Sequence, residues 1–269
     1  MFKMFKKYFN LNKLSTLIFY LSILTFIIAF NFSDNPASGW QQQFMPFLNN
    51  RDLRDMVFTD SLTGYGITKG GFNGDSDYVI KTTNSGNNWF IVYTTYSGMN
   101  KVKFINSTTG YICGTKYPDI TSMVLKTTNS GINWIYLNAQ FAKEFKDMSV
   151  LNEDTIWVTD ANGLSGGIYR TNNSGLNWFN QFYTFGGNPE RIYMYNSQVG
   201  FMDRGDVLWK TINGGYNWSI ITGQNGFYDI SFVDSLTGWK CKDSVRKTTD
   251  GGVSWIRQNV PMGGNISIF

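Results

Sequence analysis

Lys81-TTNSGNN-Trp89 is the first of five copies of one nine-residue phrase. The others are Lys126-TTNSGIN-Trp134, Arg170-TNNSGLN-Trp178, Lys210-TINGGYN-Trp218 and Lys247-TTDGGVS-Trp255. In each, a cation and Thr are followed by Asn or Asp at the fourth place, Gly at the sixth and Trp at the ninth. The phrase reads as a β-hairpin tip. An Asn or Asp side chain folds back onto following backbone N–H groups, Gly supplies a positive φ, and Trp opens the returning strand with a large apolar face to bury.

A second phrase recurs upstream of every hairpin. Phe58-TDSLT-Gly64-Tyr65, Phe104-INSTT-Gly110-Tyr111, Met194-YNSQV-Gly200-Phe201 and Phe232-VDSLT-Gly238-Trp239 carry it, and Val150-LNEDT-Ile156-Trp157 carries it without the Gly. It reads as strand, tight turn, strand. Each unit therefore has four short strands: A ending near the Phe, B starting at the aromatic, C ending at the Lys-Thr and D starting at the Trp. From Trp40 to Trp255 the units average 43 residues, the size of a propeller blade.

The phrase resembles the Asp-box or BNR repeat. The matching residues are Thr82, Asn84, Gly86 and Trp89; Thr127, Asn129, Gly131 and Trp134; Thr171, Asn173, Gly175 and Trp178; Thr211, Asn213, Gly215 and Trp218; and Thr248, Asp250, Gly252 and Trp255. Four of the five have Asn where the family has Asp, and Asn keeps the turn-forming carbonyl. Together with the Phe-to-Gly-aromatic phrase, the repeat is most similar to the photosystem II stability/assembly factor-like propellers, which also occur in exported bacterial proteins. The resemblance covers Trp40 to Phe269. It implies an all-β propeller of four-stranded blades, and it leaves function open because such scaffolds carry many activities.

The ends are informative. Trp40 stands where a D-strand Trp belongs, and Ile266-Ser-Ile268 matches the start of strand A at Ile230-Ser-Phe232. Five complete units plus parts of a further blade are expected, in a ring that is truncated or open and whose natural product continues past Phe269. Residues 1–30 hold Lys3, Lys6, Lys7 and Lys13 ahead of 17 uncharged residues, Leu14 to Phe30. This is the pattern of a signal peptide or an uncleaved membrane anchor. Residues 31–39 read as a linker and 40–269 as the propeller. The chain is expected to be exported, meeting membrane only through its N-terminal segment.

With those four lysines and Asp34 set aside, 19 cations and 18 anions remain in the propeller, so no global charge favours nucleic acid. The chain has no His, which excludes Ser-His-Asp and Cys-His catalysis and His-based zinc sites. No cofactor is called for. The Asn and Asp of the repeats are turn formers, not a metal site, and Asp75 and Asp77 lack the ordered spacing of a calcium loop, so they read as solvated. Cys113 and Cys241 fall at equivalent places in units two and five, too far apart for a disulfide, and read as buried free thiols.

A–B and C–D hairpins share one face of the ring, and variable B–C hairpins and D–A crossings share the other, where binding groups usually sit. The B–C set runs over residues 69–77, 116–119, 160–167, 203–206 and 242–243. The D–A set is aromatic: Tyr93, Tyr96, Phe141, Phe145, Phe182, Tyr183, Phe185, Phe227 and Tyr228. At one offset before each strand A stand Asp55, Lys101, Asp147, Arg191 and Asp229, placed to line the mouth of the central channel.

Two functions follow. One is a non-catalytic scaffold holding a protein or glycan on the variable face, with assembly or stability factor as the form the resemblance implies. The arginine-rich face expected of the photosynthetic factors is missing, since only Arg191 and Arg204 of the seven Arg fall on the variable face. The other is a glycoside hydrolase, because the resemblance extends to sialidases and xyloglucan-cleaving enzymes. A sialidase needs clustered arginines and a Phe/Tyr-Arg-Ile-Pro signature, which is absent. A xyloglucanase-like site needs a carboxylate pair, for which Asp55, Asp147 and Asp229 are the candidates. Oligomeric state is left open.

Overall fold

The computed structural model describes residues 43–69, 76–137, 139, 141, 144–160 and 165–259. The expected export segment and linker, Trp40, Asp75 and Ile266 to Ile268 lie outside the described residues. Apart from Gln43, the described residues fall in the compact unit Phe44–Phe269.

Blade 1 comprises β1 (Asp52–Phe58), β2 (Gly64–Lys69), β3 (Asp77–Thr82) and β4 (Phe90–Thr95). Blade 2 has β5 (Ser97–Phe104), β6 (Gly110–Lys116), β7 (Thr121–Thr127) and β8 (Ile135–Tyr136). Blade 3 has β9 (Phe145–Val150), β10 (Ile156–Asp160), β11 (Ser165–Thr171) and β12 (Phe179–Phe185). Blade 4 has β13 (Pro189–Met194), β14 (Gly200–Arg204), β15 (Val207–Thr211) and β16 (Ser219–Asn225). Blade 5 has β17 (Asp229–Phe232), β18 (Gly238–Cys241), β19 (Val245–Thr248) and β20 (Ile256–Arg257). Each blade is an antiparallel meander paired in chain order, and the five form an all-β propeller. The fourth strand starts one residue after the Trp, not at it. That Trp is buried in four of the five, with Trp178 half-buried, and Trp134, Trp218 and Trp255 meet rings of the preceding blade at Tyr93, Phe182 and Phe201.

The repeat phrase folds through two side chains. In blade 1 the Thr82 hydroxyl accepts from Gly86 N (3.0 Å) and donates to Asn84 Oδ1 (3.0 Å), which also accepts from Asn88 N (2.9 Å). The same set recurs at Thr127/Asn129, Thr171/Asn173, Thr211/Asn213 and Thr248/Asp250. These bonds pull Asp250 down to a pKa of about 2, chiefly through the Ser254 hydroxyl and N–H. Two successive residues take positive φ, the fifth and the sixth. Three blades put Ser at the fifth place, in a region L residues avoid. There the hydroxyl is anchored to the neighbouring A–B turn: Ser85 to Ser61 O, Ser130 to Ser107 O and Ser174 to Asp154.

The A–B turns are built the same way throughout. Asp60, Asn106, Asn152, Asn196 and Asp234 each accept two backbone N–H groups of their own turn. The departure in unit three also has a packing reason. A Cβ on Gly64, Gly110 or Gly238 would meet the ring of Phe58, Phe104 or Phe232 at 2.8 Å or less. Blade 3 replaces the ring by Val150, and Ile156 then fits opposite it.

Blades join through strand B. Tyr65 of blade 1 stacks on Phe104 of blade 2 (centroids 4.0 Å apart) and donates to Ser130 O, to which Lys81 also donates. Phe201 of blade 4 stacks on Phe232 of blade 5, and Lys210 donates to Gly251 O (2.8 Å). Trp157 donates to Gly214 O across the third joint. In the second, Lys126 pairs with Glu153 (3.0 Å). Rings and Cβ-free turns thus interlock from blade to blade.

Three outcomes test this packing. Gly252 has φ +82, and a Cβ there would meet Phe201 at 2.5 Å; Gly252→Ala is expected to lose about 3 kcal/mol, a conformational cost of ~1–2 plus overpacking of ~1–3. Gly223, with φ +71 and open space around it, should lose only ~1–2 kcal/mol on the same change. Urea unfolding of both variants measures the contrast. Cys113 and Cys241 are buried free thiols; burial raises Cys113 well above its ordinary pKa and Cys241 to about 11. A thiol reagent at pH 8 should therefore find none in the folded protein and two after unfolding. Lys240, 2% exposed, donates to Asn225 O and Gly226 O. Burial, helped by Arg246, lowers its pKa from 10.5 to about 8. Between those values the unfolded chain binds the extra proton, so stability should rise with pH from about 8 to 10.5. Lys240→Met should abolish that rise, and a stability difference from wild type that stays flat across this range would show that Lys240 remains charged.

Candidate functional site at the channel mouth

The five residues at the common offset come together. Asp55, Lys101, Asp147, Arg191 and Asp229, one from each inner strand, line a single cavity of about 520 Å3. In β1, β5, β9 and β13 the register shifts by one residue immediately before this position. Such bulges re-aim the following side chain. Periodicity gave the offset, whereas the bulge depends on pairing with strand B.

These charges also fasten one blade to the next. Asp55 takes a salt bridge from Lys101 at 3.1 Å and a hydrogen bond from Val102 N at 2.9 Å, both across the first joint. Asp147 Oδ2 accepts from Ile192 N at 2.9 Å across the third, while its buried Oδ1 has no hydrogen-bond partner among the described residues. Burial works against the charge on Lys101, but Asp147 and Asp55 outweigh it and hold its pKa above the ordinary lysine value. Arg191 lies over the ring of Tyr228, its centroid 5.4 Å away.

Tyr228 links the mouth to a second cavity of about 370 Å3, lined also by Asp206, Asn225, Lys242 and Asp243. Lys242 lies 5.2 Å from the centroid of the same ring and bridges Asp203 (3.1 Å) and Asp206. Burial opposes its charge, and the two aspartates prevail to raise its pKa. Asp203 shows the other side of the pair: burial raises its carboxyl even with Lys242 bound.

Several residues read as loop are not loop. Asp203 ends inside β14, paired with Arg191 and buried; Asp160 is buried in β10, and Lys116 closes β6. Asp77 is not solvated: it is 2% exposed in β3 and accepts from the Thr68 hydroxyl. Of the D–A aromatics, Tyr93, Phe141, Phe145, Phe182 and Phe227 are packed into the blade interfaces. Only Tyr96, Tyr183, Phe185 and Tyr228 remain substantially exposed. The Asn and Asp of the repeat phrase stay within their own hairpins, and no acidic cluster able to hold a metal occurs among the described residues.

No family model matches the chain, and no curated protein matches it. Among solved structures it is similar to a chain of a nidogen/laminin complex, at 10% identity and TM-score 0.58 over 76% of this chain and 78% of that one. It is similar to an ancestral GH74 enzyme at 17% identity and TM-score 0.56, over 84% of this chain but only 34% of the enzyme's length. YCF48 bound to D1 peptide aligns at 17% identity and TM-score 0.43, over 82% and 87% of the two chains. What the first two share with this chain is its fold.

Proposed function

We propose that the protein is an exported, non-catalytic propeller scaffold that holds a protein partner at the channel mouth and along the adjoining B–C and D–A loops. The supporting observation is how the carboxylates at the mouth are used. A glycosidase needs two carboxyl groups free to face the sugar, one to give a proton and one to attack or activate water. Asp55 already has both oxygens engaged by Lys101 and Val102 N, and Asp147 is held by Ile192 N with its other oxygen buried. What faces outward instead is Tyr228, with Arg191 and Lys242 over its ring. An amphipathic aromatic with adjacent cations suits protein contact. The fold does not discriminate, since both an enzyme and a chain crystallised in a protein complex share it. Export rests on the pattern of residues 1–30.

The test places a photo-crosslinking amino acid at Tyr228, and separately at Leu62 on the A–B turn of the other face, in the full chain in its native cell. Protein adducts are expected at position 228 and not at 62. Reducing sugar released from a polysaccharide by the purified chain, and abolished by Asp147→Asn, would replace the scaffold by the glycosidase.

A further inference from the structure

Each joint within the chain has two halves. The leading blade offers an aromatic on strand B and, directly opposite it on strand C, a cation: Tyr65 with Lys81, Tyr111 with Lys126, Trp157 with Arg170, Phe201 with Lys210. The following blade offers apolar residues of its strand A and the tip of its repeat hairpin, where Ser130, Gly214 and Gly251 carbonyls accept. The four leading aromatics are fully buried by this arrangement.

Blade 5 carries the leading half once more, as Trp239 opposite Lys247. Here Trp239 is only half-buried, and Lys247 lies over that ring at 5.1 Å, its one polar or ring contact among the described residues. Blade 1 carries the following half. Leu53, Met56 and Phe58 of β1 are 38, 40 and 43% exposed, whereas Met99 and Val102, which stand at the places of Leu53 and Met56 in β5, are at most 1% exposed. Phe58 keeps its edge contact with Trp89 inside the blade, as Phe104 does with Trp134. Among the described residues no ring stacks on it as Tyr65 stacks on Phe104.

We propose that a second copy of this chain covers these faces, with Trp239 and Lys247 of one molecule docking on Met56, Phe58 and the Ser85 turn of the next. The chemistry names the occupant. A strip of exposed apolar side chains flanked by a hairpin tip is matched, four times over in this molecule, by an aromatic with a cation in register beside it. Every copy displays that pair. The two faces differ, so the contact is head-to-tail, and one copy engages a neighbour on either side. Exposed apolar strips of this kind mark association surfaces, and Met56 and Phe58 also line the cavity at the channel mouth.

The experiment uses the full chain with a benzophenone amino acid in place of Trp239, as an equal mixture of unlabelled and 15N-labelled protein. After irradiation and digestion, cross-links to the peptide bearing Met56 and Phe58 are weighed by mass spectrometry. Intermolecular docking predicts that about half of them join light to heavy chain, as random pairing of equal pools requires. Phe58→Asp should reduce their yield at least tenfold, and Leu62→Asp, exposed on the A–B turn of the same blade, should leave it unchanged. Cross-links that are all light-to-light or heavy-to-heavy would show that the chain meets its own face. Cross-links landing on residues 260–269, or none at all, would equally overturn the proposal, and these outcomes are read in the protein with an unaltered blade 1.

Discussion

The contact on which the structure depends is the ring of strand B seated against the hairpin tip of the next blade. A four-stranded blade of about 40 residues has two apolar faces and cannot bury either alone. The seat works because the tip is held open by hydroxyl and amide side chains instead of by bulk. Thr accepts the Gly N–H, Asn or Asp accepts two residues further on, and the Gly presents bare backbone to the incoming ring. Stacked and edge-on aromatic pairs add roughly 0.5–1.5 kcal/mol each beyond the area they bury. The cation opening the repeat phrase belongs to the same device. It lies opposite the strand-B aromatic, over its ring in all four joints, at 4.6 to 5.7 Å, and in two of the four it also bonds the neighbouring turn carbonyl.

At the other end of each inner strand, charge performs the joining that rings perform outside. Asp55 and Asp147 bind backbone N–H groups of the following blade, at Val102 and Ile192. The blades so bound carry Lys101 and Arg191 at the equivalent place. A carboxylate that accepts a backbone N–H and a lysine salt bridge is thereby committed to holding the next blade. The mouth is thus a set of inter-blade fastenings with polar and aromatic groups left facing out, and this bears on function more directly than the fold does.

Much of this was legible before any coordinates. Five copies of a phrase with a turn mechanism determine the four-strand unit, and a constant offset from the Phe locates the inner ring. What escaped the sequence depends on partners about 45 residues away. Phe145, which opens β9, and Phe227, in a crossing, look like surface aromatics in the sequence, yet the adjoining blade covers them. Asp203 looks like a loop carboxylate until its strand is extended by pairing with Arg191 and Lys242 reaches it from the next blade. The exchange of Phe and Gly for Val150 and Ile156 is visible in the sequence as a broken match, but only the 2.8 Å or closer approach of the rings in the other blades says why both changed together.

Two independent regularities lapse at one place. Around the mouth the signs alternate, Asp55, Lys101, Asp147, Arg191, Asp229, and the only like-signed neighbours in that order are Asp229 and Asp55, where blade 5 precedes blade 1. Around the outside, every leading aromatic is buried by a following blade until Trp239, and every following strand A is covered until β1. Five alternating signs cannot close into a ring without one like-signed pair, and that pair falls where the apolar burial also lapses. An uninterrupted ring would place two carboxylates side by side at the mouth, which costs free energy unless a cation separates them. The same seam leaves a half-buried Trp-Lys pair and a partly exposed Leu-Met-Phe strip. The seam between blades 5 and 1 is therefore the one part of the described propeller whose interactions are not satisfied by the repeat that built the other four joints.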